Sequence, residues 1–206
     1  MKAGDLIGNH SRAWEGATRH PFLEGVRDGT LPEGAFERWL VQDRMFVEEE
    51  LGLLRRLLPG APRRDQSLFE SGIAALEEEL GWFEEQARRR NLTLSARPER
   101  ATESYLRFLR ALADEPYPAA LTALWAIERA YLEAWRNASP GACEYREFVE
   151  HWSTPEFAAF VASLEEAADR ALATGEADER AVTLFLEVAD LERRFWEMAL
   201  GEGRSG

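Results

Sequence analysis

The chain has one cysteine, Cys143, and one lysine, Lys2. A lone cysteine excludes an intrachain disulfide and any CxxC metal knuckle. Histidine is scarce as well, and the positions three before His10, His20 and His151 hold Ile7, Ala17 and Phe148. The Glu-x-x-His pair that carboxylate-bridged di-iron bundles require is therefore absent. No apolar run approaches the length needed to span a bilayer. Met1-Lys2-Ala3-Gly4-Asp5 leads into no apolar signal core. The expectation is a soluble, cytoplasmic protein without a membrane partner. Positive charge is also short. A formal net charge of -13 argues against nucleic acid and anionic membrane, both polyanions that reward Lys and Arg.

What the chain has instead is acid in apolar places. Asp43 falls in the stripe Phe36, Leu40, Asp43, Val47, Leu51, Leu54. Glu128 falls in Leu121, Leu124, Trp125, Glu128, Leu132, Trp135, and Glu192 in Phe185, Val188, Ala189, Glu192, Phe195, Trp196. This spacing puts side chains on one helix face, which normally points into a core. A carboxylate is almost never fully buried without a partner. Burying one alone costs several kcal/mol or forces it to take up a proton. Three such placements suggest one polar chamber inside a helical protein. The plainer reading is that each acid pairs with an arginine as a core salt bridge.

The pattern is helical from end to end, without strand-like alternation or repeat. A first helix is expected from about Gly4 to Arg19, and His20-Pro21-Phe22 starts a short one ending at Asp28-Gly29-Thr30. Pro32 is expected to open a long helix to Leu58, since proline is tolerated in a first turn. Pro59-Gly60-Ala61-Pro62 stops it. Further helices are expected from Asp65 or Ser67 to about Arg90, from Ala101 to Asp114, and, after a turn bracketed by Pro116 and Pro118, through Glu128 to near Asn137. A short helix holds Tyr145 to Val149. Thr154-Pro155-Glu156 begins another, ending at Thr174-Gly175, and the Glu192 helix closes the chain. The expectation is an all-α, single-domain helical bundle over residues 1–206, with 201–206 a flexible tail.

Bundle cores commonly hold ligand or metal sites. Haem would need an axial ligand, for which His10 and His20 are available, but histidines so placed read as surface or capping residues. Zinc is no better supported, so no metal and no cofactor are expected. Cys143 lies in the Pro140–Glu144 turn, off every apolar stripe, and reads as an inert thiol. His151 has no serine elbow to serve. Carboxylate chemistry with aromatic walls remains. Two acids in one dry pocket can have their pKa values pushed apart, so that one stays protonated and the other charged. Such a pair can activate water and protonate a departing amine. Phe46, Tyr105, Tyr131, Trp152 and Phe195 could stack on a flat heterocycle.

Three stretches carry a family resemblance. His20-Pro21-Phe22-Leu23-Glu24-Gly25-Val26-Arg27-Asp28-Gly29-Thr30-Leu31-Pro32 resembles the HPF-x-x-x-h-x-DGTLP stretch of the TenA family (thiaminase II). Trp39-Leu40-Val41-Gln42-Asp43 is similar to its L-x-QD motif, and Glu192-Arg193-Arg194-Phe195-Trp196-Glu197-Met198-Ala199 to its closing E-x-x-FW-x-MA motif. The cysteine-type branch carries its catalytic cysteine on the helix before a Tyr-x-Glu element. Here that helix reads Ala123-Leu124-Trp125-Ala126-Ile127-Glu128-Arg129-Ala130-Tyr131, without cysteine. Ala126-Ile127-Glu128-x-x-Tyr131 instead resembles the glutamate-type branch (TenA_E), and His151-Trp152 with Phe157 fits that branch as well.

The resemblance implies a haem-oxygenase-like helical fold without haem, assembled as a homo-oligomer (dimer or tetramer), and a small aminopyrimidine as substrate. It implies a hydrolase of thiamin-pyrimidine salvage that removes the formyl group from N-formyl-4-amino-5-aminomethyl-2-methylpyrimidine. Glu192 and Glu128 would be catalytic. Asp43, whose counterpart in the family holds the aminopyrimidine, would bind substrate with Phe46, Tyr105, Tyr131, Trp152 and Phe195. A carboxyl group matches the ring-nitrogen and amino edge of an aminopyrimidine with two hydrogen bonds. Phe46 stands where the cysteine-type branch often has tyrosine. Two alternatives stay open: an aminohydrolase giving the hydroxymethyl-pyrimidine, and a non-catalytic pyrimidine-binding or regulatory protein.

Overall fold

Between Ala3 and Leu200 every described residue lies in a helix or in a connection between helices. The computed structural model describes residues 1–173, 175 and 177–201. Its ten α-helices are α1 (Ala3–Asn9), α2 (Ser11–Thr18), α3 (Pro21–Asp28), α4 (Ala35–Leu57), α5 (Arg63–Arg89), α6 (Arg100–Leu112), α7 (Tyr117–Asn137), α8 (Arg146–His151), α9 (Pro155–Leu172) and α10 (Asp178–Leu200). A short 3-10 turn, Leu58–Gly60, follows α4. Among the described residues there is no strand, so the all-α expectation holds. None of these helices is long and apolar enough to cross a membrane. The expected helix end at Thr174 and the expected tail over 202–206 lie outside the described residues. The chain divides into two compact units, residues 1–32 with 116–197, and residues 33–115 with 198 onward.

The first unit is built on α7. From Ala119 to Glu128 every residue of this helix is buried, and Ala130, Leu132, Ala134 and Trp135 extend the burial. A helix apolar all round must be surrounded. Alanines at 119, 120, 123, 126, 130 and 134 keep its surface shallow, and α9, α2 and α3 pack against it. The first expected helix is in fact two, because His10 leaves helical geometry (φ -126°, ψ 35°). The two pieces dock on different partners: α1 on α9, α2 on α7. Asp169 accepts from the Ala3 N–H at 2.7 Å and Glu133 from the Trp14 indole at 2.7 Å.

The His20–Pro32 motif is a device for starting and stopping α3. The Nδ1 of His20 accepts from the Phe22 N–H at 3.2 Å, and Pro21 occupies the first turn, where its missing donor costs nothing. This is the capping role expected for His20. Gly29 ends the helix in the left-handed region (φ 71°), the usual C-terminal use of glycine. Gly25 has a different reason: a Cβ there would come within 2.7 Å of the Leu31 side chain. The start expected at Thr154-Pro155 is also observed, with Thr154 Oγ1 accepting from the Phe157 N–H at 3.1 Å.

The second unit holds α4, α5 and α6, with α4 packed on both of the others. Pro32 does not open α4. Gly34 adopts φ 75° just before Ala35, and a left-handed residue cannot be a helix interior, so the helix begins three residues later than the sequence suggests. At the far end of the chain, Gly201 is left-handed (φ 85°), and the Arg38 guanidinium donates to the Ala199 carbonyl at 2.8 Å. A cation on a helix's last carbonyls is favourable to its dipole.

Candidate active site

In the first unit, α7 carries Glu128, Tyr131 and Trp135 at i, i+3 and i+7, and α10 carries Glu192, Phe195 and Trp196 at i, i+3 and i+4. Both glutamates are buried, at 7% and 3% exposure. Two ring contacts tie these helices together. Trp125 stacks on Phe185 at 6.4 Å and 21°, and Tyr131 stacks on Trp196 at 6.4 Å and 18°. Glu128 lies between Trp125 and Tyr131 on one helix, and Glu192 lies between Phe185 and Trp196 on the other. Along its own helix each acid thus lies between the residues of these two ring contacts.

An aromatic cluster adjoins the Tyr131–Trp196 stack. Trp152, at the end of α8, meets Tyr131 edge-on at 5.4 Å and Trp135 at 4.8 Å. Trp135 meets Trp196 edge-on at 6.4 Å, and Phe195 lies edge-on to Trp196 at the same distance. Trp196 is fixed from outside the cluster: its indole donates to the Ala17 carbonyl at 2.8 Å and its ring stacks on Phe22 at 5.5 Å. The structure thus brings Tyr131, Trp152 and Phe195, expected from sequence, into one cluster with Trp135 and Trp196.

His151 borders this cluster, with its ring perpendicular to Trp152 at 5.0 Å. Burial pushes its pKa below the ordinary value, and Glu147, one turn earlier, opposes that without cancelling it. The folded chain therefore binds this proton less readily than the unfolded chain does. The stability that neutral His151 contributes is complete above the unfolded value of about 6.5 and is lost as pH falls through the lower folded value. Denaturant midpoints measured between pH 8 and pH 5 should decline on the acid side, and His151→Gln should flatten part of that decline. An identical profile in the variant would contradict the assignment.

In the second unit, Asp43 is 2% exposed on α4 with Phe46 one turn further on. Phe46 meets Tyr105 of α6 edge-on at 4.7 Å, and Tyr105 meets Phe108 at 6.2 Å. Glu50, one turn past Phe46, is another buried carboxyl at 3% exposure that the sequence reading missed. It ends the run Glu48-Glu49-Glu50, which reads as a solvated face. Counting seven residues on from Asp43 is the signal that would have found it.

Gln42 was expected only as a letter of the L-x-QD motif. Its side-chain amide is buried and spans the segment leading into α6, donating to the Arg97 carbonyl at 3.2 Å and accepting from the Glu99 N–H at 2.9 Å. Arg38, one turn earlier, adds an ion pair to Glu99 at 3.6 Å. Gln42→Ala should leave the Glu99 N–H without this acceptor, at a cost of about 1–3 kcal/mol. Amide hydrogen exchange at Glu99 should become faster in that variant while exchange elsewhere in the folded chain keeps its rate. Unchanged exchange at Glu99 would refute the clamp.

Other polar features lie away from the predicted residues. A surface depression of about 600 Å³ is lined by His10, Arg12, Leu186, Asp190 and Arg193, among others. A second, of about 460 Å³, is lined by Trp14, Arg19, Glu133 and Arg136. Neither is lined by a residue that the sequence marked for catalysis or binding. Cys143 is exposed. Among the described residues, no group of three or more His, Cys, Asp or Glu side chains is placed to hold a metal ion.

Residues 8–202 match the sequence pattern of the TENA/THI-4/PQQC family. The chain belongs to this family. It is 32% identical over 206 residues to a probable bifunctional TENA-E protein of Glycine max, covering 93% of this chain and 90% of that one. This places it in the glutamate-type branch, in keeping with the absence of cysteine from α7. It is also 24% identical over 216 residues to an aminopyrimidine aminohydrolase of Halalkalibacterium halodurans, covering 97% of this chain and 96% of that one. The crystal structure of a TenA homologue from Pyrococcus furiosus superposes with a TM-score of 0.91 at 32% identity, over 97% of this chain and all of that one. The haem-oxygenase-like all-α fold of TenA proteins is thus the fold of this chain.

Proposed function

We propose that this TenA protein is a hydrolase of thiamin-pyrimidine salvage that removes the formyl group from N-formyl-4-amino-5-aminomethyl-2-methylpyrimidine. The observation that carries the reading is the pair of buried glutamates on α7 and α10, two helices joined by the Trp125–Phe185 and Tyr131–Trp196 stacks. Two buried acids whose surroundings differ can have different proton affinities, which suits one to hold a proton and the other to take one. Glu128 orients and deprotonates the attacking water. The water oxygen bonds to the formyl carbon, the C–N bond breaks, and Glu192 protonates the departing amine. Formate and the aminomethyl-pyrimidine leave. In the first unit, Tyr131, Trp152 and Phe195 contact the pyrimidine ring.

Incubating purified protein with the formylamino- and the aminomethyl-pyrimidine, and following products by chromatography, tests the reading. The formyl compound should be consumed faster. Absence of turnover on both by a folded protein would remove it. The aminohydrolase reading keeps a specific support, since relatives from Halalkalibacterium halodurans and Helicobacter pylori are named aminopyrimidine aminohydrolases. Faster conversion of the aminomethyl compound would favour it. A non-catalytic pyrimidine-binding protein would bind either compound and convert neither.

In the same reading the chain is one family domain, which the match running through both units supports. It works in the cytoplasm as a homo-oligomer, and light scattering on the purified protein gives the number of subunits.

A further inference from the structure

Trp125 is wholly buried on α7, with its ring stacked on Phe185. Phe185 continues the stack to Trp14, at 5.2 Å and 12°. The two tryptophans at the ends of this ladder differ in one respect. The indole N–H of Trp14 donates to Glu133 at 2.7 Å, whereas the indole N–H of Trp125 meets no acceptor among the described residues. A buried donor left unanswered costs about 1–3 kcal/mol, and buried polar groups in native proteins seldom go unanswered. Phenylalanine would preserve the stack without that cost. A small molecule bound at this place would supply the acceptor.

The location says what that molecule is. Trp125 precedes Glu128 by one turn on the same face of α7, and its stacking partner precedes Glu192 by two turns on the same face of α10. The residue that carries the unanswered donor is thus one turn from Glu128, and its stacking partner shares a helix with Glu192.

We infer that the Trp125 indole N–H donates to the formyl oxygen of the substrate, an inference that rests on the deformylase reading. When water adds to the formyl carbon, the C=O π pair moves onto that oxygen and the hydrogen bond to Trp125 strengthens. When the intermediate collapses, the pair returns to re-form C=O in formate. The C–N bond breaks, and the amine nitrogen keeps its electron pair and takes the proton from Glu192. A donor aimed at charge that develops in the transition state lowers the barrier. The aminomethyl-pyrimidine has no carbonyl there, so Trp125 determines specificity between the two substrates.

The test is Trp125→Phe in the full chain. Its kcat/KM for the formyl compound should fall by at least about tenfold, and for the aminomethyl compound by less than about threefold, with an unchanged or higher melting temperature. Trp125→Leu, which likewise has no side-chain donor, serves if the Phe variant does not fold. The ¹H–¹⁵N spectrum supplies a readout independent of turnover. Of the seven tryptophan indole signals, the one missing in the variant should move when the formyl compound is added to wild type, and stay when the aminomethyl compound is added. Equal loss on both substrates, or no loss, with an unmoved signal overturns the inference while leaving the deformylase reading intact. If wild type converts neither compound, that reading falls. A signal that still moves with the formyl compound then keeps Trp125 as a ligand donor, and an unmoved one removes both.

Discussion

Replacing Glu192 by glutamine should lower kcat on the formyl compound by about two to four orders of magnitude. Glutamine has the same volume and fills the same buried place on α10, so Phe195 and Trp196, one turn away, keep their contacts. What it lacks is a proton to give. The amine leaving a tetrahedral carbon must be protonated as the C–N bond breaks, and without an acid the intermediate returns to reactants. The loss should appear mainly in kcat, with KM moving much less, because the proton transfer belongs to the transition state and not to the bound ground state. Glu197→Gln is the matched control. That side chain is on the same helix, partly exposed and paired with Arg193, and its variant should keep the wild-type rate. A Glu192→Gln protein within a few-fold of wild type would remove Glu192 from the chemistry. A protein that binds both pyrimidines unchanged and converts neither, with or without the substitution, would be the non-catalytic binder.

Trp196→Ala should cost about 3–5 kcal/mol of folding stability. Four rings lie against this indole: Phe22 at 5.5 Å, and Tyr131, Trp135 and Phe195 each at 6.4 Å. Truncation leaves a cavity among rigid neighbours that cannot easily collapse into it, and it takes the indole N–H from the Ala17 carbonyl. Natural domains are stable by only about 5–15 kcal/mol, so the variant should be marginal at room temperature. Trp196→Phe keeps most of the ring contact and loses the hydrogen bond. It should cost less, on the order of 1–2 kcal/mol. Denaturant midpoints of the two variants give the comparison. A Trp196→Ala protein as stable as Trp196→Phe would mean that the cluster does not support α10.

Much of the helical pattern was legible in the chain because its signals are local. His20-Pro21 and Thr154-Pro155 announce helix starts through one side-chain acceptor and one imino acid, and both starts are observed. The misplaced boundaries have tertiary causes. The break at His10 follows from α1 and α2 docking on different helices. The start of α4 at Ala35 follows from a left-handed Gly34 that Pro32 gave reason to overlook. The burial of Asp43, Glu128 and Glu192 was readable because each interrupts an apolar stripe. Glu50 was hidden by its acidic neighbours, although it is as well buried.

The amino-acid sequence by itself determined the helical class, the family motifs and the acids that sit on apolar faces. Helical periodicity and capping depend on residues within a few positions of one another, and such patterns survive reading in one dimension. Tertiary structure alone decided that the Gln42 amide would span the Arg97 and Glu99 backbone, that Trp152 would meet Tyr131, and that the Trp125 indole would be buried without an acceptor among the described residues. Those facts depend on groups brought together from distant parts of the chain. Whether a polar atom is answered depends on where those groups come to rest in space.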